Sequence, residues 1–73
     1  MNETQAKLAE VIYFWFGKAK EDITAATNVI TEIGLSHFDL EVLSYAIEET
    51  FLVEINPPAI RTNPLLSELS SRI

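Results

Sequence analysis

Apolar positions recur at three- and four-residue intervals in separate stretches of this chain, and breakers divide the stretches. In the first, Leu8, Val11, Ile12, Trp15 and Phe16 mark the buried face of a helix predicted over about Glu3 to Phe16. Asn2 suits its N-cap, Gln5 the reciprocal capping position, and Gly17 the left-handed residue that ends it. Lys18 and Lys20 follow, at the negative end of the helix dipole. Residues 18–35 then read as a long connection, with Ile23, Val29, Ile30 and Ile33 as apolar anchors. A second helix is predicted over His37 to Phe51, with Ser36 as N-cap and Asp39 closing a capping box. Phe38, Leu43, Ala46, Ile47 and Phe51 read as its core side, and Asp39, Glu41, Glu48 and Glu49 as its wet side. Asn56-Pro57-Pro58 stops the chain, because proline disfavours helix at the residue before it. A short helix is expected over Pro58 to Thr62. A last one is expected with Asn63 as cap and Pro64 at its first position, its Leu65, Leu66, Leu69 and Ile73 closing the core.

Size makes that core matter. A chain of 73 residues reads as one domain, residues 1–73, near the lower limit at which burial stabilises a fold unaided. Cysteine is absent and there is one histidine, so neither a disulfide nor a metal site is expected. No apolar run is long enough to span a bilayer, and Met1-Asn2-Glu3 lacks the basic start of a secretory signal, so the expected location is cytoplasmic. Eleven acids face five bases, and between Glu21 and Ile60 there are eight acids and no Lys or Arg. That surface repels nucleic acid and anionic lipid and suits a protein partner with a basic patch.

The run Gly34-Leu35-Ser36-His37-Phe38 resembles the signature of the acyl carrier proteins, in which Gly-x-Asp-Ser-Leu opens the second helix. Ala46-Ile47-Glu48-Glu49-Thr50-Phe51-Leu52-Val53-Glu54-Ile55 is similar to that family's Ala-Leu-Glu-Glu-Glu-Phe-x-x-Glu-Ile. Leu8, Val11, Ile12 and Phe16 match its first-helix core, and Ile23, Val29 and Ile33 its loop anchors. The resemblance implies an all-α, acyl-carrier-protein-like four-helix bundle: three main helices, one short helix and a long first loop. It also implies a carrier whose serine is esterified by 4′-phosphopantetheine, and which enzymes recognise through acids on the second helix.

The departures from the family pattern bear on function. His37 falls where the attachment serine stands, and Ser36 where the aspartate precedes it. An imidazole offers no hydroxyl for the usual phosphodiester. Ser36 is explained as a helix cap; the alternative is a functional carrier modified at Ser36, one residue early. Val42 replaces an acid common in carriers, and Leu40 and Tyr45 make the same outer face more apolar. Asp39, Leu40, Glu41, Val42, Tyr45, Glu48 and Glu49 therefore form the expected docking face. Tyr13 and Phe14 cannot both share the buried side of the first helix with Trp15, so Phe14 is a candidate contact residue and a homodimer through these aromatics a candidate assembly. Phe38, Tyr45 and Trp15 are also large enough to fill the space that an acyl chain takes between helices in the family. No nucleophile–base–orienter set, glycine-rich phosphate loop or metal cluster is visible, so catalysis is not expected. The sequence therefore points to a non-catalytic interaction or regulatory module of a carrier-dependent pathway, with no cofactor expected.

Overall fold

The computed structural model describes residues 1–73 as four α-helices: α1 (Glu3–Phe16), α2 (His37–Phe51), α3 (Pro57–Thr62) and α4 (Leu66–Ser71). The first two have the predicted bounds because their local signals are complete. Asn2 accepts from the Gln5 N–H at 2.8 Å, and the Gln5 side chain accepts from the Asn2 N–H at 3.1 Å. Gly17 ends α1 at φ 74°, a left-handed conformation that costs glycine no Cβ clash. At the end of α2 the same conformation falls to Leu52, at φ 58°, with its side chain 87% exposed. Leu52→Gly is therefore expected to stabilise the fold by about 0.5–1 kcal/mol, read from urea unfolding. A loss of stability would show that the leucine holds a contact worth more than the strain.

The core is one cluster in which Leu8, Ile12, Val29, Leu43, Ile47, Ile60, Leu66 and Leu69 are wholly buried. Helix α1 packs on α2 and α4, and α2 also on α3. The long first loop closes the remaining side. It holds a short 3₁₀ turn at Lys20–Asp22 and buries Ile23, Val29 and Leu35, while Ile30 and Ile33 are half-buried. Its backbone is stitched to the α3–α4 segment. The Val29 N–H donates to the Pro64 carbonyl at 2.9 Å, that of Leu66 to Thr27 at 2.9 Å, and that of Ser67 to Ala25 at 2.9 Å. Asn28 and Leu65 form an antiparallel bridge beside these bonds.

Those bonds correct the expected start of the last helix. Asn63 and Pro64 do not open it; α4 begins at Leu66, because residues 64–66 are held against the loop. Asn63 instead ends α3, which starts one residue early, at Pro57, under an Asn56 cap that accepts from the Ala59 N–H at 3.0 Å. Three side chains are also reassigned. Phe38 is 69% exposed rather than buried, and Leu40 is 1% exposed rather than outward-facing. The buried stripe of α2 runs through Leu40, Leu43 and Ile47; at 3.6 residues per turn Phe38 points well away from it. Trp15 lies on the α1 stripe, seven residues after Leu8, but next to the end of the helix, and is 43% exposed. With Tyr45 also exposed, none of Trp15, Phe38 and Tyr45 fills the interior; aliphatic side chains do.

Candidate functional site

The N-terminus of α2 carries Ser36 and His37, within the run that resembles the acyl carrier signature. Gly34, at φ 82°, turns the chain out of the loop so that Ser36 can cap the helix. The Ser36 side chain accepts from the Asp39 N–H at 3.2 Å, and the Asp39 carboxylate accepts from the Ser36 N–H at 3.0 Å. The hydroxyl is thus aimed along its own helix, although the residue as a whole is exposed. The cap is worth about 1 kcal/mol.

His37 is exposed at the first position of α2, and its Nδ1 accepts a hydrogen bond from Nη2 of Arg61 on α3. The contact occupies one of the two ring nitrogens, and an imidazole offers no hydroxyl for a phosphodiester. Arg61 was not foreseen as its partner. The two lie 24 residues apart, and only the packing of α3 on α2 brings them together.

The outer side of α2 presents Glu41, Tyr45, Glu48 and Glu49 to solvent, with Asp39 and Val42 half-buried. Glu41, Val42, Tyr45, Glu48 and Glu49 share one side of the helix; Asp39, nine residues before Glu48, lies half a turn round from that surface and is taken up by the capping box with Ser36. Leu40 does not belong to that surface, being turned into the core. Helix α2 has no basic residue in its last turn, so no cation of its own offsets those acids there.

Phe14 is 78% exposed on α1. Two features beside it were not anticipated. Trp15 meets Tyr45 edge-on, with ring centroids 6.2 Å apart, so the aromatics of α1 and the outer face of α2 are continuous. Lys20, in the first loop, places its ammonium 5.7 Å from the centre of the Tyr13 ring. No cluster of three or more metal-ligating side chains occurs in the structure.

No protein-family model matches the chain. Over 51 residues it is 39% identical to the acyl carrier protein of Syntrophobacter fumaroxidans (strain DSM 10017 / MPOB). The match takes in 70% of this chain and 63% of that protein, so the chain spans less than two thirds of the relative's length. The structure also superimposes on the crystal structure of holo T3CT, with a TM-score of 0.84 over 100% of this chain and 96% of that one. Sequence identity there is 22%, so the likeness is one of fold.

Proposed function

The chain resembles the acyl carrier proteins in sequence and has an acyl-carrier-protein-like fold, and from that premise we propose that it is an arm-less, non-catalytic docking module. It occupies, through the outer face of α2, the surface of an enzyme that otherwise meets a carrier, and so regulates that enzyme. The observation that carries this reading is the state of the attachment position: His37 is held by Arg61, and the neighbouring Ser36 hydroxyl is used as a cap. Neither side chain fits the usual phosphopantetheine ester as it stands. Beside them, Glu41, Tyr45, Glu48 and Glu49 keep an exposed, acidic and aromatic face.

A test uses an enzyme that takes acyl carrier protein as its substrate. The purified chain is expected to inhibit it competitively against the loaded carrier. Glu48→Lys/Glu49→Lys should weaken that inhibition about tenfold, and added salt should weaken it for the wild type. Absence of competition across a panel of such enzymes would overturn the reading.

A second reading rests on one observation. Ser36 is exposed, and the cap that holds its hydroxyl is worth only about 1 kcal/mol. In that reading the chain is a divergent acyl or peptidyl carrier that bears 4′-phosphopantetheine on Ser36, and Ser36→Ala abolishes loading while His37→Ala does not.

A further inference from the structure

Four large aromatic side chains stand exposed where α1 meets α2: Phe14 at 78%, Trp15 at 43%, Phe38 at 69% and Tyr45 at 54%. Phe14 and Trp15 meet edge-on at 5.8 Å, and Trp15 and Tyr45 at 6.2 Å, so three rings form a ridge that crosses from one helix to the other. Phe38 lies two turns before Tyr45 and extends the same stripe past half-buried Val42. At about 200 Å² for each aromatic side chain, this leaves on the order of 500 Å² of ring surface in water. That is towards the upper end of what an ordinary monomer exposes in one patch.

The charges on the two sides of the ridge differ in sign. On the α1 side, a groove is lined by Lys7 and Lys20, with Glu10 its one acid. On the α2 side stand exposed Glu41, Glu48 and Glu49. We propose that this face is closed by a second copy of the same chain, related by a two-fold axis along the α1/α2 seam. Such an axis lays α1 of each copy over α2 of the other. The ridges bury one another, and the lysine side of each copy meets the acidic side of its mate. Both halves of the complementarity are present on one chain, as an isologous interface requires. A small but specific interface covers about 600 Å² of each partner, which the ridge and its two charged borders together supply.

The dimer also has a consequence, which rests on the docking function proposed above. Tyr45, Glu48 and Glu49 would be covered in the dimer, so self-association and enzyme docking exclude one another. The chain is then a competent docking module only when dilute, or when an enzyme wins the face from the second copy.

Sedimentation velocity of the intact chain from about 1 µM to about 1 mM tests the dimer. The wild type is expected to pass from monomer to dimer in that range and to shift towards monomer in high salt. Phe14→Ser, Lys7→Glu/Lys20→Glu and Glu48→Lys/Glu49→Lys should each weaken association about tenfold or more. The variant that combines both charge-reversed pairs should regain it. All these positions are exposed, and circular dichroism checks that each variant keeps its helix content. A wild type that stays monomeric throughout overturns the dimer. So does association that the reversed pairs leave unchanged, or that the combined variant fails to regain. A monomer that still inhibits the enzyme refutes the dimer alone, and a dimer that fails to inhibit once diluted to monomer refutes the docking function alone.

Discussion

Leu43→Ala is expected to remove most of the stability of this protein. Leu43 is wholly buried in the middle of α2, the helix that packs on both α1 and α3. Truncating a buried leucine costs about 2–5 kcal/mol, as lost transfer energy plus the cavity left behind. A core in a chain of this size supplies on the order of 3–5 kcal/mol in all. There is no disulfide or metal to hold the remainder. The variant should therefore show a collapsed or absent urea transition by circular dichroism, and dispersion should be lost from its proton NMR spectrum. A cost below about 1 kcal/mol would mean that the helices do not share one cooperative core.

The second large effect is a gain. Ser36→Asp/His37→Ser recreates the Asp-Ser pair of the acyl carrier signature on the existing backbone. Aspartate caps a helix as well as serine does, and its charge suits the positive N-terminus of α2, so the fold should be unharmed. A serine at position 37 would stand outside the capping box, and removing the imidazole releases Arg61. A broad-specificity phosphopantetheinyl transferase supplied with coenzyme A is expected to load this variant in large part. If the variant stays unmodified beside a loaded control carrier, the register that places His37 on the attachment serine is wrong, or Phe38 in place of leucine blocks the transferase.

What the sequence made legible follows from where each signal resides. Asn2 with Gln5, Ser36 with Asp39, and Gly17 act within a turn of chain, and they set the bounds of α1 and α2 as read. The aliphatic spacing on α1 likewise put Leu8, Val11 and Ile12 inside. The second helix was misread at two positions. The apolar list places Phe38 on the core side and Leu40 on the outer face, whereas the stripe that the helical spacing sets runs through Leu40, Leu43 and Ile47. Trp15 and Phe38 are exposed because the aliphatic residues already fill the interior. The start of α4 was misplaced because Asn63-Pro64 is a good local start signal. Hydrogen bonds from the loop near residues 25–29 override it, and nothing in a local window announces them. The same holds for Arg61, whose contact with His37 crosses from α3 to α2. For the outer face of α2, the positions of Glu41, Tyr45, Glu48 and Glu49 were legible from helical spacing. Their continuity with Trp15 was not, since it depends on how α1 lies on α2.

The account turns on whether this chain carries a prosthetic arm. The most direct measurement is the intact mass of the wild-type protein after incubation with coenzyme A and a broad-specificity phosphopantetheinyl transferase, alongside the same protein purified from its native host. The account predicts an unchanged mass in both, with an ordinary acyl carrier protein fully loaded in the parallel reaction. A gain of one phosphopantetheine in either sample, mapped by fragmentation to Ser36 or to any other residue, would contradict it and make the chain a working carrier.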